Sequence, residues 1–197
     1  MIATLSDSVR IVGPSTPFEE RILTPEAVRL KLSTQFEPRQ QRILKERRAH
    51  QQRLDAGELP DFPKETEEIR KAEWKVAPPP ADLMDRRVEI TGPTGRKMMI
   101  NALNSGANVF MADFEDSNSP TWDNILEGQA NLCDTVNESI CYCSPEGKRY
   151  ALRENPAVLM VRPRGWHLVE KHFLIEGNPF LRRSSISDCT SSTTPEG

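Results

Sequence analysis

No stretch of this sequence approaches the ~20 consecutive apolar residues that a helix needs to cross a bilayer. The N-terminus has no basic region followed by an apolar core, so no secretory leader is expected. A surplus of one charge is also missing: 26 Lys and Arg stand against 29 Asp and Glu, for a net charge of −3. That balance argues against a general nucleic-acid binder, and nothing points to a membrane. Four cysteines are too few and too irregularly spaced for a secreted disulfide framework, and their spacing matches no zinc site. They are expected to be reduced. Cys141 and Cys143 lie two apart in an expected strand, so they should share one face and serve as packing residues. What remains is a chain of 197 residues with 37% hydrophobic and 28% charged content, long enough for one domain or part of a larger one.

Residues 1 to about 20 are short apolar patches broken by Gly13-Pro14 and Pro17, which predicts an irregular or extended arm. Thr24-Pro25-Glu26-Ala27 has the composition of a helix start, and that helix should stop before Pro38. Pro38 to Ala56 is rich in Arg, Gln, Lys and Glu, with Ile43, Leu44 and Leu54 as sparse apolar anchors; it predicts a solvated helix closed by Gly57. Its basic residues carry no interleaved aromatics for base stacking. Prolines 60, 63 and 78 to 80 then predict a stiff connector around an acidic helical piece near Glu65 to Lys71.

After Arg87 the pattern becomes strand, helix, strand. Val88 to Thr91, Arg96 to Leu103 and Asn108 to Ala112 form that unit, whose strands should run parallel. Ile125 to Val136 reads as a helix, and 139–142 with 149–152 as a hairpin. Pro156 to Val161 reads as a further buried strand. The overall expectation is therefore an α/β fold.

Two strand ends carry chemistry. The apolar run Val109 to Ala112 stops in Asp113, Glu115 and Asp116, three carboxylates within four positions. They repel one another, so two readings stand: a strand-end site in which a metal ion or an arginine accompanies them, or a solvated acidic turn entering the Ser119-Pro120 break. The run before Arg162 ends in Arg162-Pro163-Arg164, which delivers guanidinium groups where the other strand delivers acids. Together they suit a small anionic substrate with a divalent cation. His167 and His172 read as loop or packing residues.

Several of these stretches are long enough to carry a resemblance. Arg86 to Thr94, Asn101 to Ser105, Met111 to Ser117, Pro120 to Asn124 and Arg162 to His172, with Ile22 to Ala27 and Leu59 to Phe62, resemble the short form of malate synthase. The resemblance runs from about Arg21 to Pro179. It implies condensation of acetyl-CoA with glyoxylate and water to give malate and CoA. The implied fold is an N-terminal helical clasp followed by the first strands and helices of an incomplete (β/α)8 TIM barrel. In domains, 1–82 would be the clasp and proline-rich connector, 83–179 the opening of the barrel, and 180–197 a tail outside the family pattern, expected to be disordered. The resemblance implies that Arg162 is catalytic, binding glyoxylate and stabilising the enolate oxygen. It also implies that Asp113 and Glu115 line the magnesium and substrate site, that Asp116 supports them, and that Ser117 lies near the CoA. Mg2+ is the implied cofactor, and its direct ligands and the methyl-deprotonating aspartate are expected beyond this chain. Glyoxylate and acetyl-CoA are the implied partners, in the cytosol or in peroxisomes or glyoxysomes.

The tail departs from that pattern. Phe180 to Gly197 is rich in Ser and Thr and has no apolar period. With suitable synonymous codons, reading Ser184 to Gly197 from the third base of each codon yields Phe-Asp-Phe-Gly-Leu-Tyr-Phe-Phe-His-Asn-Ala-Arg-Gly, the family's own continuation. A shift of reading frame near Pro179 is therefore expected. A barrel of ~250 residues cannot close in the roughly 110 from Arg87 onward. The 197 residues alone are expected to be inactive, and residues 88 to 197 to aggregate or order only in part. Two other functions remain open: a small-anion and magnesium binding module, and an interaction fragment using the basic helix Arg39 to Arg53.

Overall fold

The computed structural model describes residues 2–6, 9–24, 37–165, 167–175 and 177–181. It divides into two compact units, residues 34–84 and residues 1–33 with 85–197. The helix expected after Thr24 falls largely on residues 25–36, and the tail beyond Leu181 likewise lies outside the described residues.

The larger unit begins with strands β1 (Ile2–Ser6) and β2 (Val9–Val12), an antiparallel pair. Of the irregular or extended arm expected here, residues 2–6 and 9–12 take the extended form, and they pair with each other. Its partners are far away in sequence: β2 pairs with β8 (Val169–Ile175), which pairs with β9 (Asn178–Leu181). Four short strands thus form one antiparallel sheet. β1, β2 and β9, of four or five residues, are too short to show a period alone. The disorder expected from residue 180 is corrected for Phe180 and Leu181, which belong to β9.

A short helix α1 (Glu19–Ile22) follows β2. In the smaller unit, helix α2 (Glu37–Asp55) is mostly exposed, with Leu44 and Leu54 half-buried, as its sparse apolar stripe implies. Gly57 closes it at φ +95°, with its N–H donated to Leu54 O at 2.9 Å. Helix α3 (Glu67–Lys71) is the acidic piece, supported by a Lys71–Glu67 pair.

The chemistry sits on a second sheet, of strands β3 (Glu89–Gly92), β4 (Val109–Asp113) and β7 (Val158–Arg162) in the order β3-β4-β7, all parallel. Helix α4 (Arg96–Leu103) connects the first two; helix α5 (Trp122–Val136) and the hairpin β5 (Cys141–Cys143) and β6 (Arg149–Ala151) precede the third. Parallel strands need such crossovers because a tight turn cannot reverse direction twice. Helix α5 starts three residues before the expected boundary because Thr121 caps it, its side chain accepting from Asn124 N at 3.2 Å.

Helix α5 is shared by two cores. Trp122, Leu126 and Ala130, spaced four apart, pack with Val9, Ile11, Ile22, Leu23 and Phe173. Leu132 joins Met99, Ile100, Leu103, Phe110 and Phe114 against the parallel sheet. One helix therefore fixes the N-terminal hairpin to the sheet that bears the acids. In the β5–β6 hairpin, Tyr142 and Tyr150 are half-buried register partners, which turns Cys141 and Cys143 outward. The packing role expected for these cysteines is corrected: both are exposed free thiols.

Candidate active site

Asp113 and Arg162 occupy the last positions of neighbouring parallel strands and are register partners across the β4–β7 ladder. Residues opposite each other in a ladder project to the same face, so the strands themselves bring carboxylate and guanidinium together. Arg162 Nε donates to Asp113 Oδ1 at 2.9 Å and Nη2 to Oδ2 at 2.6 Å. This is a bidentate, charge-assisted pair with a fixed plane.

The loop after β4 wraps around the same carboxylate. Asp113 Oδ1 accepts from the backbone N–H of Glu115 at 2.9 Å and of Asp116 at 3.2 Å. Its Oδ2 accepts from Ser117 N at 3.1 Å and Ser117 Oγ at 2.9 Å. Fully buried at 0% exposure, Asp113 is thus surrounded by six donations. The Arg162 guanidinium above all, then the surrounding N–H and O–H groups, overcome its burial and hold the carboxyl well below the usual carboxylate range. Arg162 is correspondingly held above its ordinary value, first by Asp113.

The other two acids complete the repulsive triplet on the guanidinium. Asp116 Oδ2 accepts from Arg162 Nη2 at 2.6 Å, and Glu115 Oε2 lies 3.5 Å from Nε. All three acids named in the sequence for this strand end are therefore assembled around one arginine, with Ser117 bonded to Asp113. Ser117 spends its hydroxyl proton on Asp113.

Arg164 does not join them. Its Nη1 lies 3.6 Å from Oε2 of the buried Glu170, and Glu170 Oε1 also accepts from His172 N at 3.2 Å and sits 2.8 Å from His172 Nδ1. Glu170 was not anticipated from the sequence. The only signal was its place in the Val169 to Phe173 alternation, where a bulge between Glu170 and Leu174 resets the inward face.

A cleft of about 240 Å³ adjoins Ser117, bounded by the β3–α4 turn at Thr94 and by Asn118, Asn124 and Glu127. Asn118 Nδ2 is buried there without a hydrogen-bond partner among the described residues. The turn itself is fixed from below: Asn131 Nδ2 donates to the buried Thr94 O at 2.9 Å.

Among the described residues no three His, Cys, Asp or Glu side chains converge as a metal-binding group. Asp113 has no spare acceptor capacity for a cation after its six donors. Glu115 and Asp116 are carboxylates with lone pairs still open, suited to a hard cation or to its bound water.

Comparison with known proteins matches this architecture to one family. The family model "Malate synthase, N-terminal domain" matches residues 7–68. A malate synthase of Myxococcus xanthus is 54% identical over 173 residues, which cover 87% of this chain and 32% of that protein. Malate synthase A of Escherichia coli K12 is 51% identical over 177 residues, covering 89% and 33% respectively. A bifunctional glyoxylate cycle protein of Caenorhabditis elegans is 59% identical over 166 residues, covering 82% and 17%. Matches of this length take in the whole span from Asp113 to Arg162, while the chain spans about a third of the length of the malate synthases it matches. On this similarity, carried through the strand ends that hold Asp113 and Arg162, the chain belongs to the malate synthase family.

Proposed function

We propose that these residues form part of the site that joins acetyl-CoA to glyoxylate and releases malate and CoA. Arg162 carries the reading: its Nε–Nη2 edge is clamped by a buried carboxylate, and its Nη1 has no acceptor among the described residues. A fixed cation with its Nη1 still available binds the glyoxylate carboxylate and stabilises negative charge as it develops on the enolate oxygen of acetyl-CoA. Asp113 is a positioning residue, because it orients the guanidinium and leaves no oxygen free for substrate. Glu115 would line the site of a magnesium ion, and Asp116 would support it. Bound there, magnesium supplies Lewis-acid polarisation of the glyoxylate aldehyde. The cleft at Ser117, where Asn118 Nδ2 has no partner among the described residues, is read as part of the surface that takes the CoA.

In the same reading β3, β4 and β7 are the opening strands of a (β/α)8 barrel, and the helical unit of residues 34–84 is the clasp. Their carboxyl ends would then form the catalytic face, as in other barrels. The compartment is proposed to be cytosolic or peroxisomal to glyoxysomal; relatives from maize and Brassica napus are named glyoxysomal.

Release of CoA thiol from acetyl-CoA, dependent on glyoxylate and Mg2+, tests the reaction. It is expected of the polypeptide extended to the family's length and not of the 197 residues alone. Arg162→Lys in the extended enzyme should lower kcat by roughly 10²–10³-fold, the usual cost of losing a preorganised donor. An unchanged kcat would overturn the role of Arg162.

A further inference from the structure

The open edge of Arg162 is not wholly open. A guanidinium presents two bidentate edges, Nε–Nη2 and Nη1–Nη2. Asp113 takes the first with both oxygens. On the second, Nη1 has no acceptor among the described residues, while the other Nη2 hydrogen goes to Asp116 Oδ2 at 2.6 Å. Asp116 reaches it from a side chain that is 72% exposed, whereas Asp113 is 0% exposed and Glu115 is 29% exposed. The two carboxylates on Nη2 therefore differ in kind. One is locked by backbone and hydroxyl donors, and the other is a solvent-accessible group with no second donor among the described residues.

We propose that Asp116 is an internal stand-in for the substrate's carboxylate, occupying half of the Nη1–Nη2 edge until an incoming monocarboxylate displaces it. This rests on the reading of Arg162 as the glyoxylate-binding residue and adds what guards that residue when empty. An Arg162 carrying no counter-charge on this edge would recruit any small anion from solution. An exposed partner is displaced at little cost, because exposed ion pairs are worth little in water. A bound carboxylate gains a second N–H from Nη1, which Asp116 leaves unused. Selectivity follows: ligands able to use both nitrogens displace Asp116, and single-point acceptors such as chloride do not.

The test is titration of the enzyme extended to the family's length with sodium glyoxylate, with sodium formate as the smallest carboxylate and sodium chloride as the single-point anion. Asp116→Ala, which leaves no acceptor in that place, should tighten glyoxylate and formate binding by about two- to fivefold, the range an exposed pair covers, and should raise chloride competition. Glu115→Gln removes the same unit charge from the same arginine without vacating the edge. It should tighten binding by clearly less. Equal gains in the two variants would mean simple relief of repulsion and would overturn the stand-in. Wild-type binding that requires Arg162 but is unmoved by Asp116→Ala would overturn it while leaving the glyoxylate reading intact. If neither wild type nor Asp116→Ala binds either carboxylate, both ideas fall together.

Discussion

Asp113 and Arg162 face each other as the last register pair of two parallel strands, joined by hydrogen bonds of 2.9 and 2.6 Å. The pair does two things at once. It terminates the ladder with a fixed cation, and through Asp113 it folds the following loop, because three consecutive N–H groups close on the same carboxylate.

That double role predicts an asymmetry between the partners. Asp113→Ala strands three loop N–H groups and Arg162, so it should cost about 2–4 kcal/mol in chemical denaturation. Arg162→Ala leaves Asp113 with four of its six donors, and should cost clearly less. Equal losses would mean that the ion pair, not the loop, is what Asp113 supports.

The same carboxylate makes a pH signature. Its folded value is depressed, mainly by Arg162, so its contribution is fully present above the ordinary carboxylate value near 3.9 and is lost as pH falls below it. Stability measured by urea midpoint at pH 6, 4 and 3 should fall over the lower interval. The gap between wild type and Asp113→Asn should narrow with it. A gap constant to pH 3 would contradict the depressed value.

Much of this site was legible because it follows from local rules. An apolar run of strand length ending in acids, and another ending in arginines, place unlike charges at the same end of a parallel sheet whatever the rest of the chain does. What stayed hidden depended on distant partners. The strands of residues 2–12 exist because 169–181 lies beside them, and segments of four or five residues carry too little pattern to announce that. Glu170 and Phe173 are both buried although they have opposite parity in one strand. The bulge that permits this leaves no mark in composition. Cys141 and Cys143 share a face as their spacing requires, but spacing does not say which face, and the two tyrosines took the inner one.

The outward cysteines give a direct check on the hairpin. Under native conditions Cys141 and Cys143 should react with a thiol reagent faster than the half-buried Cys133, as resolved by mass spectrometry of the labelled peptides. In urea the three rates should converge. Native protection of Cys141 equal to that of Cys133 would place the hairpin the other way round.

Gly128 tests how tightly helix α5 is pressed onto the turn beside the site. Alanine is normally the better helix residue by about 1 kcal/mol. Here an added Cβ would sit 2.4 Å from Thr94 Oγ1 and 2.7 Å from Phe114 Cε1. Both neighbours are themselves buried, at 1% exposure each, and Asn131 on the same helix holds the Thr94 carbonyl, so neither can swing away. Overpacking of this kind costs about 1–3 kcal/mol and should outweigh the propensity gain. Gly128→Ala is therefore expected to destabilise the chain in thermal or urea denaturation. Because Phe114 directly follows Asp113, the same substitution should also weaken glyoxylate binding. A neutral or stabilising Gly128→Ala would mean that the helix stands further from the turn than these distances imply, and that the Asp113 loop is not braced from behind.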